Sequence, residues 1–347
     1  MTPRTLPLVA LAIAAALSGP ALAQDVQCGK SKWGANDQTG ALNHITTQNV
    51  QAAAKLVKRG KAIRMGIETN SKTPAFPPRT FALTVLTPGQ EYGRSLGETK
   101  TNYNDDIIMG WVGIGSQLDG LGHIGIDGVY WNCAKGAEFV TPAGLKKYGI
   151  ETVPAIATRA VILDMVGLTG QDPVKEGTAF NRKEIDAALK RQGNMKIGKG
   201  DVVIFYTGWT KLIGKDDKRY GSAEPGLGLD GARYLASLQV AMVGADTWGL
   251  EVLPFEDPKK VFTVHQILLA QNGIRNPDRI YVGQRLALGP AEANAEPEPV
   301  LVAVDGYHYS GKRIDIRDKV AAVARGIPSL RRTVLVPFLD PAAEPGP

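Results

Sequence analysis

The segment richest in side chains that could do chemistry runs from Gly113 to Gly125 and reads GIGSQLDGLGHIG. It places Gln117, Asp119 and His123 among glycines, which let the backbone and a ligand approach each other closely. A carboxylate four residues from an imidazole can hold a divalent cation or move a proton. Asp and His at this spacing also occur by chance, so the residues alone leave a solvated surface loop open.

The other candidates come from a short list, because the chain contains only four histidines: His44, His123, His265 and His308. His265 lies near the start of a predicted helix, where a His more often caps or packs than binds a ligand. Asp246 follows an apolar strand, where α/β folds build ligand sites, although a turn or capping role is equally open. His44 and His308 have no supporting pattern, so we expect surface or structural roles for both.

Composition narrows the class of protein. The 347 residues are 44% hydrophobic and 21% charged, which predicts a globular chain with a sizeable core. The net charge of +6 is spread along the chain, so we expect no nucleic-acid partner. The two cysteines, Cys28 and Cys133, exclude a multi-cysteine zinc module, and either a disulfide or two separate thiols is open.

The first 23 residues have the pattern of a secretory signal. Arg4 gives a positive start, residues 6–17 are apolar, and Ala21-Leu22-Ala23 is a small-x-small cleavage site. We therefore expect a periplasmic or secreted protein without a membrane span.

Alternating helical and strand patterns predict an α/β domain. The predicted helices cover residues 47–59, 141–149, 181–193, 231–238 and 263–272, and the predicted strands cover 62–67, 81–86, 159–165, 201–206 and 239–245. Residues 289–299 (GPAEANAEPEP) are predicted to form a low-complexity loop or linker. Beyond it, a strand at 300–304 and a helix at 317–325 are predicted within a C-terminal segment, 300–347, and whether that segment completes the domain is open.

Several segments together resemble the cyclase-like metal hydrolases, a family that includes bacterial kynurenine formamidase and isatin hydrolase. The resemblance runs from Lys32 to Ile274 and includes SKWGANDQTGALNHIT, TPAFPPRTFALTVLTPG, YNDDIIMGWVGIGSQLDGLGHIGIDGVYWN, GADTWGLEVLPFEDP and VHQILLAQNGI. It implies a single mixed-sheet domain of the swivelling β/β/α type, which we place at residues 24–288.

The hallmark of that family is HxGTHxDxPxH. This sequence has Gly113 and Gln117 at the two leading His positions, Asp119 at the Asp, Leu121 at the Pro and His123 at the last His. In the family the leading His pair and the Asp bind a divalent metal, and the last His is implicated in proton transfer. The pattern SQxDGLxH is typical of a branch of the family.

The resemblance also implies a later His and an acidic metal ligand, which we assign to His265 and Asp278. With two nitrogen donors replaced, we expect one metal rather than two, held by Gln117, Asp119, His265 and Asp278. That metal would be manganese or zinc, with the preference moved toward manganese or magnesium; a site without metal is the alternative.

The implied activity is hydrolysis of a cyclic or aryl amide or formamide, acting on C–N bonds other than peptide bonds, as in an arylformamidase of tryptophan catabolism. His123 would be the proton shuttle, and Trp111, Trp131, Asp246 and Trp248 would contact a small-molecule substrate. The alternative is a catalytically inactive, exported small-molecule-binding protein that has lost its metal ligands.

A second, partial resemblance covers residues 272–289 (NGIRNPDRIYVGQRLALG), which are similar to the closing strand region of a peptidoglycan-binding LysM module. It implies peptidoglycan as a partner only if the fragment is a real module; a chance loop and strand is the alternative. Family members commonly assemble as dimers or tetramers, so a homo-oligomer is also open.

Overall fold

The structure of the protein is a computed structural model. It describes residues 28–86 and 95–275, and after them the backbone of five short strands and three helical positions. The predicted signal segment at 1–23 and the predicted linker at 289–299 lie outside the described residues.

The described elements are mixed helices and strands. The helices are α1 Thr47–Ala54, α2 Gly136–Phe139, α3 Met165–Thr169, α4 Arg182–Arg191, α5 Asp217–Tyr220, α6 Leu229–Ser237 and α7 Thr263–His265, which continues as a π-helix over Gln266–Gln271. The strands are β1 Phe81–Leu86, β2 Asp105–Gly110, β3 Gln117–Leu118, β4 Val140–Thr141, β5 Gly144–Leu145, β6 Ala160–Asp164, β7 Ala179–Phe180, β8 Val202–Tyr206, β9 Gly226–Leu227, β10 Met242–Ala245, β11 Pro277–Asp278, β12 Val300–Val304, β13 Gly306–Tyr309, β14 Lys312–Asp315 and β15 Arg332–Val336.

A three-stranded parallel sheet forms the centre of the larger unit, in the order β10, β8, β6. Its strands are apolar on both faces, as expected for a parallel sheet covered on each side. Leu163, Val203 and Phe205 have no exposed surface, and Phe180 stacks on Phe205 with ring centroids 5.5 Å apart. α4, α6 and the π-helix contribute to the same core. This rigid sheet positions the loops that follow its strands.

The predicted α/β class is confirmed, and most predicted elements occur within a few residues of their expected ends. α4 begins at the predicted capping box, in which the backbone N–H of Asn181 donates to Glu184 at 3.0 Å. α1 ends at Ala54 rather than at residue 59, and the last predicted helix is largely a π-helix. In the described part of the chain, no helix combines the length and apolar character needed to cross a bilayer.

Two predicted elements were wrong. The helix expected at 141–149 is instead a hairpin of β4 and β5, because Gly144 turns the chain at φ +131°, outside the helical region, and its carbonyl accepts from the Thr141 hydroxyl at 2.7 Å. The strand expected at 62–67 is irregular, and Ile63 is exposed. Within 62–67, Gly66 alone is in a β-bridge, which is too little pairing to form a strand.

A long antiparallel hairpin joins β1 to β2 in full register from Phe81–Gly110 to Leu86–Asp105. Its apolar side chains are exposed on both faces, including Val85, Ile108 and Met109. A two-stranded hairpin is marginally stable alone, so this one gains little from the described core.

The chain divides into two compact units, residues 1–284 and 285–347. In the smaller unit β12 pairs parallel with β15, and β13 pairs antiparallel with β14. The strand predicted at 300–304 is confirmed as β12. Of the helix predicted at 317–325, three positions are described and are helical.

A disulfide joins Cys28 to Cys133, with the two Cα atoms 5.2 Å apart and 105 residues separating them. It ties the start of the described chain to the short turn at Trp131–Cys133. The backbone N–H of Asn132 also donates to the carbonyl of Gly29 at 2.8 Å, so the crosslink lies within a hydrogen-bonded contact.

We predict that Cys28→Ser lowers the free energy of unfolding by about 2–5 kcal/mol, because the crosslink closes a long loop in the unfolded chain. Denaturant unfolding of the oxidised wild type and the variant measures the loss. Cys133→Ser serves as the matched control and should lose the same amount, and reduction should affect only the wild type. Equal stability of the wild type and both variants would contradict the prediction.

Candidate functional site

The segment Gly113–Gly125 folds as a short strand, β3, followed by a tight turn that carries Asp119 and His123. The backbone N–H of His123 donates to the carbonyl of Gly120 at 3.0 Å. Gly120 packs closely, since a Cβ added there would lie 2.9 Å from the carbonyl of Tyr148. This turn brings His123 Nε2 to 3.8 Å from Asp119 Oδ1, so the two predicted residues do converge.

Asp119 is buried, with 7% of its surface exposed, whereas 45% of the His123 side chain is exposed. The Gln117 amide lies 3.5 Å from Asp119 Oδ1. The other oxygen, Oδ2, is buried and has no hydrogen-bond partner among the described residues. A buried carboxylate oxygen without a donor is costly, so this position is suited to a cation.

Gly113 and Gln117, which stand at the two leading His positions, are neighbours in space. A Cβ added at Gly113 would lie 2.9 Å from Gln117 Oε1 and 3.7 Å from Arg79 Nε. The Gln117 amide and the Arg79 guanidinium therefore occupy the space beside Gly113. A larger side chain at position 113 would require both to move.

His265 lies at the start of the helical segment that follows Phe262, and only 4% of its surface is exposed. Glu251 Oε2 accepts from the backbone N–H of His265 at 3.0 Å and lies 2.9 Å from its Nδ1. A carboxylate only accepts hydrogen bonds, so Nδ1 carries the proton. In the neutral form of the ring, Nε2 is then an acceptor, which is the arrangement of a metal-binding histidine.

Neighbouring charged groups affect the protonation of His123. Burial is the largest influence on the pKa of His123 and lowers it; Asp119 raises that pKa, while His265 and Arg79 lower it further. His265 and Arg79 are therefore near enough to His123 to affect its protonation. The net lowering leaves His123 neutral and able to accept a proton at neutral pH.

Asp246 does not join this cluster. It has no exposed surface, and its carboxylate accepts from the Thr207 N–H at 2.7 Å, the Thr207 hydroxyl at 2.6 Å and the Gly208 N–H at 2.8 Å. Burial raises its pKa to about 6, against these hydrogen bonds. The sequence-based assignment of Asp246 as a substrate contact is not supported, because all its bonds serve the loop after β8.

The three predicted tryptophans have different surroundings. Trp131 belongs to a buried core cluster, and its Nε1 donates to Asp37 at 3.3 Å, so it is structural rather than part of this site. Trp111 is exposed just after β2. Trp248 is 7% exposed and is stacked against Phe76, with ring centroids 5.1 Å apart. The accessible ring of that pair is Phe76, which is 45% exposed.

The Cyclase family model matches residues 38–252, more than half of the chain and all of the site up to Glu251. The chain belongs to the Cyclase family. The resemblance inferred from the sequence is thereby confirmed at the level of family. No curated protein matches the sequence.

Solved structures of the Cyclase fold are similar as well. A crystal structure of a novel cyclase is 28% identical, with a TM-score of 0.66 over 72% of this chain and 83% of that one. Isatin hydrolase A from Ralstonia solanacearum is 16% identical, with a TM-score of 0.48 over 69% of this chain and 86% of that one. A potential metal-dependent hydrolase with cyclase activity is 18% identical, with a TM-score of 0.40 over 63% of this chain and 82% of that one.

The metal ligands expected from the sequence are only partly brought together. Among the described residues, no three His, Cys, Asp or Glu side chains lie close enough together to form a metal site by themselves. The Gln117 amide nitrogen lies beside Asp119 and its amide oxygen lies beside Gly113. β11 pairs with β3 so that Asp278 lies opposite Gln117 in the ladder. The backbone therefore brings the predicted Asp278 to the same strand pair as Gln117.

Three residues of the site were not predicted from the sequence: Phe76, Arg79 and Glu251. Glu251 closes the motif GADTWGLE, in which we singled out Asp246 instead. Phe76 and Arg79 belong to TPAFPPRTF, a segment that was matched to the family without a role for either residue. An isolated Arg or Phe carries no spacing signal, so only the fold reveals that Arg79 lies beside Gly113.

We predict that Glu251→Gln removes the preference of His265 for the Nδ1–H tautomer, and that it lowers the free energy of unfolding by about 1–3 kcal/mol. Imidazole ¹⁵N chemical shifts of His265 measure the tautomer. Glu224→Gln is the matched control, because Glu224 is also fully buried but accepts from the N–H groups of Trp248 and Gly249. A control with an altered His265 tautomer, or a Glu251 variant with an unchanged one, would contradict the assignment.

Proposed function

We propose that the protein is an exported, metal-dependent hydrolase of a cyclic or aryl amide or formamide, similar in reaction to an arylformamidase. The observation that carries this proposal is the Asp119–His123 pair, 3.8 Å apart, with a buried and unpartnered carboxylate oxygen on Asp119. Membership of the Cyclase family supports it, since several proteins of this fold carry hydrolase names.

Asp119, Gln117, His265 and Asp278 are the residues that would hold the metal. When bound, a divalent ion at this position would polarise the scissile carbonyl and make water a better nucleophile at neutral pH. Three of these four side chains would offer an oxygen atom to the metal, and only His265 would offer a nitrogen. Such a donor set favours manganese over zinc.

His123 is the residue suited to proton transfer. It is exposed to a substrate, neutral at neutral pH, and oriented by the carboxylate of Asp119. It would take a proton from the attacking water and deliver it to the nitrogen of the leaving amine, so that one proton moves from oxygen to nitrogen as the C–N bond breaks.

Arg79 and Phe76 would position the substrate. The backbone N–H of Arg79 donates to the carbonyl of Phe76 at 3.2 Å, so one turn presents both side chains. The Arg79 guanidinium beside Gly113 can donate to a carbonyl or carboxylate oxygen, and the exposed ring of Phe76 can stack on an aryl group.

A catalytically inactive binding protein is the second candidate. The packing of Gln117 against Gly113 favours it, because the space beside this position holds an amide and a guanidinium instead of two imidazoles. Such a protein would bind an aromatic amide at Phe76 without metal and without turnover.

We also propose that the mature protein begins at Gln24 and works outside the cytoplasm, as a dimer or larger homo-oligomer. The Cys28–Cys133 disulfide supports an oxidising compartment. The exposed apolar hairpin of β1 and β2 supports self-association. Peptidoglycan binding through residues 272–289 remains a prediction.

We predict that the wild type binds one Mn²⁺ per chain and that Asp119→Asn weakens this binding at least about tenfold, because the charged buried ligand is lost. Titration calorimetry of metal-depleted protein measures both affinities. Asp127→Asn is the matched control, since Asp127 lies just after the same segment and is exposed. Failure of the wild type to bind Mn²⁺ or Zn²⁺ would favour the binding protein.

We predict that His123→Ala reduces hydrolysis of aryl formamides by about 10²–10⁴-fold while Mn²⁺ binding and stability remain close to wild type. A panel of N-formyl arylamines, followed by release of the amine, measures the rates. The control is His308→Ala, on β13 of the smaller unit, which should retain full activity. Wild-type turnover by the His123 variant would overturn the role assigned to this residue.

A further inference from the structure

Phe262 has an unusual backbone conformation at the point where the segment that carries His265 becomes helical. Its φ is +52° and its ψ is 36°, which lies in the left-handed region. That region is strained for a bulky side chain, so it persists only where the surrounding contacts enforce it. Strained residues cluster at functional sites, and the contacts of Phe262 indicate what its strain serves.

Position 262 is the N-cap of α7, where Ser, Thr, Asp or Asn usually accepts a hydrogen bond from the third helical residue. The carbonyl of Phe262 accepts from the N–H of Gln266 at 3.1 Å, but a phenyl ring cannot accept in the same way. Glu251 supplies the missing acceptor, because its Oε2 accepts from the backbone N–H of His265, the third residue of α7, at 3.0 Å. The helix therefore does not need a polar residue at position 262, and an aromatic ring can occupy it.

The ring at this position packs against the imidazole of His265. The two ring centroids are 5.4 Å apart, and the planes of the rings are 87° apart. This is the edge-to-face arrangement that aromatic pairs prefer. The strained residue therefore contacts the side chain that we assign to metal binding.

The ring contact supplies a restraint on His265 that Glu251 does not. Glu251 accepts from the backbone N–H of His265 and lies 2.9 Å from its Nδ1, which fixes the residue and its tautomer. One hydrogen bond to a ring nitrogen leaves the ring free to tilt about that bond, and the χ2 torsion of a histidine is broad. A second ring packed at right angles opposes this tilt. The direction of Nε2 therefore depends on Phe262.

Phe262 is itself held in place by the loop that precedes α7. Its ring packs edge-to-face on Phe255, with ring centroids 5.4 Å apart and an angle of 76° between the planes. Glu256 fixes the same loop to the starts of two helices, since it accepts from Asn181 Nδ2 at 2.8 Å and from the N–H of Leu229 at 2.6 Å. These contacts can enforce the strained conformation at position 262.

We propose that Phe262 is a positioning residue, whose ring sets the plane of the His265 imidazole and so fixes the direction in which Nε2 can bind a metal. In this role Phe262 touches neither the metal nor the substrate. The consequence for metal binding rests on the proposed function, whereas the ordering of the His265 ring does not.

The order of the His265 ring in the metal-free, full-length protein tests the proposal directly. ¹³C relaxation at Cε1 measures ring motion, and the imidazole ¹⁵N shifts measure the tautomer; the His265 signals are assigned by their loss in His265→Gln. Phe262→Leu should increase the motion of the ring and leave the Nδ1–H tautomer unchanged, because Glu251 is intact. General destabilisation would not produce this combination.

Three further substitutions separate the ring of Phe262 from its backbone and from overall stability. Phe262→Gly relieves the left-handed strain but removes the ring, so it should be more stable than Phe262→Leu and still have a mobile His265. Phe262→Tyr retains the ring and should restore the order of the imidazole. Phe205→Leu is the matched control, because Phe205 has no exposed surface and stacks on Phe180 rather than on His265.

Titration calorimetry with Mn²⁺ measures the consequence for the site. We expect Phe262→Leu and Phe262→Gly to weaken Mn²⁺ binding about tenfold, and Phe262→Tyr and Phe205→Leu to remain within about twofold of the wild type.

An ordered His265 ring in both Phe262→Leu and Phe262→Gly would overturn the proposal, as would an equally mobile ring in Phe205→Leu or in Phe262→Tyr. A mobile ring with unchanged Mn²⁺ affinity would also overturn it, because Nε2 would then not need to be positioned. If the wild type binds no Mn²⁺, the metal-dependent function fails, and the ring measurements on the metal-free protein still decide whether Phe262 orders His265.

Discussion

Buried carboxylates that accept hydrogen bonds from the backbone fix the loops at the end of the central sheet. Asp246 accepts from Thr207 and Gly208, Glu224 accepts from two N–H groups in the loop after β10, and Glu251 accepts from His265. A buried carboxylate is costly unless donors surround it, so each one constrains the segment that supplies those donors. Glu251 is buried, so its carboxylate cannot bond to water in place of His265. It therefore holds His265 in one position and one tautomer.

The two departures from the family hallmark, Gly113 and Gln117, belong together. Gln117 and Arg79 occupy the space beside Gly113, so the first and second positions of the motif are one packing unit rather than two independent losses. An imidazole restored at position 113 would meet the amide of Gln117 and the guanidinium of Arg79.

The sequence predicted the parts of the fold whose pattern is local. The strand DVVIFY and the helix capped by Asn181 follow from apolar runs and capping chemistry, and both occur as expected. The hairpin at 140–145 was missed because its turn depends on the conformation of Gly144, which a helix pattern with Pro at the first position concealed. In the site, Asp119 and His123 were found by their spacing, whereas Glu251 and Arg79 act across distances that a sequence pattern does not encode.

His123 and His44 show how surroundings set the function of one residue type. Burial lowers the pKa of both, but Asp119 opposes the shift at His123 while Lys32 and Lys199 add to it at His44. Next to His123 the buried atom without a partner is a carboxylate oxygen, and next to the lysines it is an N–H. An unpartnered carboxylate oxygen favours a cation nearby, whereas the buried N–H of His44 is enclosed by protein. The same residue type is therefore a candidate for proton transfer in one setting and a buried structural group in the other.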